Sequence, residues 1–129
     1  MELKHSDITE QVIGAYFDVY NDLGFGFLER VYQNAMYYEL LSRGLKVEPQ
    51  KSIKVYRKGR IVGNYYADFL INELVIVELK ATATLTEAHE KQLINYLKAT
   101  NIEVGLLLNF GVEPKFQRKT WNNHPSKNP

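Results

Sequence analysis

The sequence contains no cysteine, and this absence removes several classes of site at once. There can be no disulfide framework, no thiolate zinc site, no iron–sulfur cluster and no cysteine nucleophile. Long apolar runs are also missing, since none approaches the roughly 20 residues that cross a bilayer, and the polar segment Met1–Gln11 is unlike a signal peptide. We therefore expect a cytoplasmic protein without membrane association.

An excess of one charge is lacking too, because 16 basic residues accompany 15 acidic ones. The net charge of +1 neither requires nor excludes nucleic acid, since phosphate binding depends on where basic side chains cluster. The length of 129 residues fits one domain with a single core. We expect that domain to cover residues 1–121 and a flexible polar tail to cover 122–129.

Hydrophobic periodicity predicts two helices, three strands, a third helix and a fourth strand. The helices are predicted over 7–23 after a cap at Ser6 or Asp7, over 28–40 before Gly44, and over 86–99 with Thr86 as the cap. The strands are predicted over 53–57, 61–71, 74–79 and 104–110, with an edge element after Pro114. This ααβββαβ order indicates an α/β fold with a mixed central sheet of about four strands flanked by helices.

Tight turns at Lys58-Gly59 and Asn72-Glu73 predict that the first three strands are antiparallel neighbours. The third strand, the last helix and the fourth strand form a parallel crossover. The almost continuously apolar strand 74–79 is typical of a strand covered on both faces, so we expect it at the centre of the sheet.

Two charged residues interrupt this apolar strand, which points to a functional site. Glu78 and Lys80 stand two positions apart, so their side chains project from one face. Because buried charges are costly, a structural ion pair is one explanation. Asp68 favours a functional explanation, because the turn at Asn72-Glu73 would bring its carboxylate beside the face that carries Glu78 and Lys80. Clustered carboxylates suit a hard divalent cation such as Mg²⁺, which predicts a phosphodiesterase site.

Three motifs extend this pattern and resemble a known nuclease family. Asp68 followed by Glu78-Leu79-Lys80 resembles the D…(D/E)-x-K motif of the PD-(D/E)xK nuclease superfamily, with Ala67 where the name has a non-ligating proline. The segment Gly26–Tyr32, G-F-L-E-R-V-Y, resembles the motif of the GxxExxY family within it. The segment Gln92–Tyr96 resembles the Q-x-x-x-Y motif of RecB-like nucleases. The resemblance spans nearly the whole chain and implies a restriction-endonuclease-like core.

The same resemblance implies a role for each site residue. Asp68, Glu78 and the backbone carbonyl of Leu79 would ligate Mg²⁺ or Mn²⁺. Glu29 would reach the metal directly or through water, the alternative being a solvent-facing helix residue. Lys80 would orient or activate the attacking water and stabilise charge in the transition state.

The third helix carries further candidates on one face. Gln92 is expected to contact Lys80 or a phosphate. Tyr96, one turn later, is expected either to contact nucleic acid or to pack in the core. His89 is expected at the surface or behind the site, because the chemistry of the superfamily needs no histidine.

Basic residues cluster once, in ten residues without an acid on the hairpin that leads to Asp68. Such a ridge beside a metal site would hold a phosphate backbone. The alternative is a charged hairpin that keeps a sheet edge soluble. The residues of this basic hairpin are Lys51, Lys54, Arg57, Lys58 and Arg60.

These observations favour a metal-dependent nuclease that hydrolyses phosphodiester bonds, with DNA a more natural substrate than RNA. The alternative is a non-catalytic nucleic-acid-binding or assembly module that keeps the nuclease fold. Because the chain has no separate recognition domain, specificity would come from a homodimer or from another protein partner.

Overall fold

The chain forms a five-stranded mixed sheet with helices on both faces, in a computed structural model that describes residues 3–122. The elements are α1 (Ser6–Leu23), α2 (Glu29–Ser42), β1 (Val47–Arg57), β2 (Arg60–Ile71), β3 (Val75–Lys80), α3 (Glu87–Ala99), β4 (Val104–Phe110) and β5 (Pro114–Thr120). The strand order is β1-β2-β3-β4-β5, with β3 and β4 parallel and the other neighbours antiparallel. The predicted α/β class and the central position of β3 are confirmed, and the edge element is a fifth strand.

Two hydrophobic cores hold the layers together, one on each face of the sheet. Helices α1 and α2 cover one face, where Tyr16 and Met36 are buried with Val77. Helix α3 covers the other, where Leu93 is buried with Ile76. Each large apolar side chain buried in this way contributes about 1.5–3 kcal/mol. Strand β3 is thus fixed from both sides, which gives its polar residues a rigid support.

The first strand and the first helix begin where the sequence pattern did not indicate. Strand β1 starts at Val47 instead of Ile53, since residues 47–51 pair with β2 despite Pro49. A proline is tolerated there because β1 is an edge strand, where one side of the backbone needs no ladder partner. Helix α1 is capped by His5 without a side-chain hydrogen bond, so the predicted cap at Ser6 or Asp7 is wrong.

The two predicted tight turns are present. Lys58 and Gly59 both have positive φ and form a two-residue loop between the paired Arg57 and Arg60. Asn72 and Glu73 also have positive φ, but they belong to a three-residue loop between the paired Ile71 and Val75. No helix within residues 3–122 is both long enough and apolar enough to cross a membrane. The predicted flexible tail lies outside the described residues from position 123 onward.

Candidate active site

The candidate site lies where strand β2 departs from regular pairing. The β2–β3 ladder ends at the pair Phe69 and Val77, and within residues 3–122 the register gives Asp68 no partner in either neighbouring strand. Ala67 packs in the core beneath α3, whereas Phe69 packs in the core beneath α1 and α2. Residues two apart share a face in a regular strand, so β2 changes face at Asp68.

Side chains replace the missing ladder hydrogen bonds. The backbone N–H of Asp68 donates to Oε1 of Glu78 at 2.7 Å, and the backbone N–H of Leu79 donates to Oδ2 of Asp68 at 2.7 Å. Asp68 is 9% exposed and Glu78 is 5% exposed. Two buried carboxyl groups therefore lie together between two strands whose backbones have separated.

Burial and mutual repulsion make it costly for both groups to be charged. Burial raises the pKa of Glu78 to about 8, with a further increase from the Asp68 carboxylate and opposing effects of the Asp68 N–H and of Lys80. Burial also raises the pKa of Asp68, against the opposing effects of the Leu79 N–H and of Lys80. A nearby cation that stabilises both charges would offset this cost.

Helix α2 adds a third carboxylate through a glutamine. Nε2 of Gln33 donates to Oδ1 of Asp68 at 2.8 Å and to Oε2 of Glu29 at 3.4 Å. Burial raises the pKa of Glu29, while Lys80 lowers it and Asp68 raises it further. Glu29 thus belongs to the same electrostatic cluster. The sequence analysis did not predict Gln33 as a site residue. Its position one helical turn after Glu29 places both side chains on the same face of α2.

The donor set fits a divalent cation that keeps much of its water. No group of three or more His, Cys, Asp and Glu side chains in the described part of the chain is arranged as a metal cage. Mg²⁺ does not require one, since it is commonly held by one or two carboxylates together with water and substrate phosphate.

A tyrosine fixes the loop that leads into Glu29. The buried Tyr32 hydroxyl donates to the carbonyl of Gly24 at 2.6 Å and accepts from the N–H of Phe27 at 3.2 Å. Its ring stacks on Phe110 with centroids 4.1 Å apart. Tyr32 therefore anchors the start of α2 to the core, and through it the position of Glu29.

A family model described as the PD-(D/E)XK nuclease superfamily matches residues 6–121. The chain belongs to the PD-(D/E)XK nuclease superfamily. No curated protein matches the sequence.

Two solved structures share the PD-(D/E)XK protein's fold. The crystal structure of SSO0001 has a TM-score of 0.59 at 16% identity, and the match covers 92% of this chain and 60% of that one. The crystal structure of an alkaline exonuclease, LHK-Exo from Laribacter hongkongensis, has a TM-score of 0.55 at 9% identity, covering 94% of this chain and 73% of that one. The chain therefore spans about 60% of the length of SSO0001.

The α3 residues singled out in this PD-(D/E)XK sequence lie in different environments. Gln92 is half-buried, and no hydrogen bond among residues 3–122 joins it to Lys80. Tyr96 is 3% exposed and its ring lies 5.8 Å from that of Tyr65, which favours core packing over contact with nucleic acid. His89 accepts a hydrogen bond from the N–H of Thr86 as part of a capping box at the surface, so it stabilises the helix start.

The basic hairpin is open to solvent over most of its length. Lys51 pairs with Glu48 at 3.0 Å. The other four members are exposed and form no ion pair within the described residues: Lys54, Arg57, Lys58 and Arg60. Their charges are available to an external anion.

Proposed function

We propose that the protein is a divalent-metal-dependent nuclease of the GxxExxY type, with the RecB-like Q-x-x-x-Y motif on α3. The observation that carries this proposal is the pairing of the buried Asp68 and Glu78 carboxyl groups, with Lys80 acting on both charges. A purely structural ion pair would neutralise one acid with one base. Here three acids, counting Glu29, share the positive charges of Lys80 and Arg30, and a divalent cation would supply the missing positive charge.

In this proposal each residue has a separate task. The carboxylates of Asp68 and Glu78 and the carbonyl of Leu79 hold Mg²⁺ or Mn²⁺, which would supply positive charge at the scissile phosphate. Lys80 orients the attacking water and stabilises negative charge that develops on the phosphoryl oxygens. Glu29, held by Gln33, reaches the same centre directly or through water.

The substrate we propose is nucleic acid, with DNA favoured over RNA. The alkaline exonuclease named above supports a nuclease of this fold. The exposed cations of the basic hairpin would track the phosphate backbone, and Gln92 would contact a phosphate. Residues 1–121 would act as one catalytic domain, with recognition completed by a second copy or by another protein.

The test combines metal binding with cleavage. Calorimetric titration with Mg²⁺ or Mn²⁺ should detect binding to the wild type, loss of binding in Asp68→Asn and Glu78→Gln, and retention in Lys80→Ala, because an ammonium group is not a ligand. The exposed Glu87→Gln is the matched control. All three site variants should lose cleavage of labelled single- and double-stranded DNA and RNA, by about 10²–10³ in rate for Lys80→Ala.

One outcome would favour the non-catalytic alternative. If the wild type binds both the metal and nucleic acid but cleaves no substrate, the chain is a binding or assembly module. If Asp68→Asn and Glu78→Gln bind the metal as the wild type does, the assigned ligands are wrong.

A further inference from the structure

A cavity of about 270 Å³ opens beside Asp68, on the side where Gln33 reaches the carboxylate. Its wall combines the aromatic ring of Tyr38 with the side chains of Asn34, Gln50 and Arg30. Tyr38 is 69% exposed and packs edge-to-face on Tyr37, with ring centroids 5.4 Å apart. The cavity therefore offers an accessible aromatic surface next to neutral amide groups.

The chemistry of this wall selects the kind of ligand. The volume lies just below the roughly 300–1,000 Å³ typical of sites for drug-sized molecules, so it suits a smaller group. The Asp68 carboxylate on the wall opposes a phosphate inside the cavity, whereas Asn34 and Gln50 can donate to and accept from the edge of a base. Arg30 is the cationic member and suits a backbone phosphate at the rim.

We infer that this cavity binds one unpaired nucleobase of the substrate strand, stacked on Tyr38, next to the scissile phosphate that a divalent cation at Asp68 and Glu78 would hold. The inference rests on the proposed function and narrows its substrate class. A base that is paired and stacked inside a duplex must first be extruded, which costs free energy, so a single strand or a frayed end is the favoured substrate. Stacking on an aromatic side chain tolerates any base, which makes the site general in sequence.

The experiment uses fluorescence anisotropy of short labelled DNA single strands in the Lys80→Ala background with Mg²⁺, so that the strand remains intact. Abasic residues replace each nucleotide in turn. One abasic position should weaken binding by about 5- to 150-fold, the loss expected for one stacked base, and the same position should cost nothing further in Tyr38→Ala. Tyr38→Phe keeps the ring and should behave as Tyr38 does. Leu41→Ala, an exposed site on the same helix outside the cavity, is the control.

The outcomes separate this inference from the proposed function. If each abasic position weakens binding by the same factor in the protein with Tyr38 and in Tyr38→Ala, the cavity holds no base, even if the wild type cleaves DNA. If Tyr38→Ala weakens binding of duplex and single strand equally, the substrate class is wrong. If one base couples to Tyr38 but the wild type cleaves nothing with any metal, the cavity stands and the catalytic proposal fails.

Discussion

Asp68 and Glu78 each bind the strand of the other through a backbone amide: Glu78 accepts from the N–H of Asp68, and Asp68 accepts from the N–H of Leu79. The two carboxyl groups thus hold β2 and β3 together at the point where the ordinary ladder stops. This arrangement gives them a structural task as well as the proposed role as ligands.

The raised pKa of Glu78 predicts how stability depends on pH in the metal-free protein. Because the folded-state pKa rises from 4.5 to about 8, the folded protein binds more protons than the unfolded chain in this range, and its stability falls as the pH rises through it. Glu78→Gln removes the titrating group, so its stability should fall less, with a difference of a few kcal/mol by the top of the range.

Thermal unfolding in EDTA across this pH range checks the expectation. Saturating Mg²⁺ should restore the stability of the wild type at high pH but not alter the glutamine variant. If the unfolding free energies of the wild type and Glu78→Gln change with pH in parallel, ionisation of Glu78 does not destabilise the folded protein.

Gln33 should control how strongly the acidic cluster attracts a cation. Gln33→Glu places a further carboxylate against Asp68 and Glu29, so Mg²⁺ should bind about tenfold more tightly, equivalent to about 1.4 kcal/mol, while the metal-free protein becomes less stable. Calorimetry and urea unfolding measure the two effects. Gln33→Leu, of similar size, should not tighten binding. Equal Mg²⁺ affinity in the wild type, Gln33→Glu and Gln33→Leu would show that residue 33 is too far from the bound cation to affect it.

Tyr32→Phe should separate the anchoring of Glu29 from general stability. The variant keeps the ring stacked on Phe110 but loses two hydrogen bonds to the loop before α2, which should cost about 1–2 kcal/mol and reduce kcat with little change in KM. Tyr20→Phe is the matched control, because its hydroxyl donates to the carbonyls of a different loop, at Gly111 and Val112. If kcat falls equally in Tyr32→Phe and Tyr20→Phe, the loss of activity reflects reduced stability and not the anchoring of Glu29.

Salt dependence tests the basic hairpin. If its cations contact phosphates, replacing Arg57 and Arg60 by glutamine should reduce the slope of log K against log[salt] by about 1.8 for duplex DNA. Lys115→Gln changes a cation on β5, at the opposite edge of the sheet, and should leave the slope unchanged. An unaltered slope in the arginine double variant would assign the hairpin to solubility.

The sequence predicted the sheet well, because strand pairing follows regular periodicity, and Glu78 and Lys80 both lie on β3. It could not show the change of face at Asp68, since alternation assumes an unbroken ladder. Gln33 was equally hidden, because its contact with Asp68 joins residues 35 positions apart. The early start of β1 was obscured by Pro49, which usually ends a strand and is tolerated here only at an edge.

The short β2–β3 ladder also has a mechanical consequence. Only residues 69–71 of β2 pair with β3, whereas the β1–β2 pairing continues to Arg57 and Arg60. The hairpin beyond Asp68 is therefore two-stranded, and Ile53 and Tyr65 in it pack against α3. A force on the hairpin tip at Lys58-Gly59 thus reaches α3 as well as the hydrogen bonds that position the two carboxyl groups.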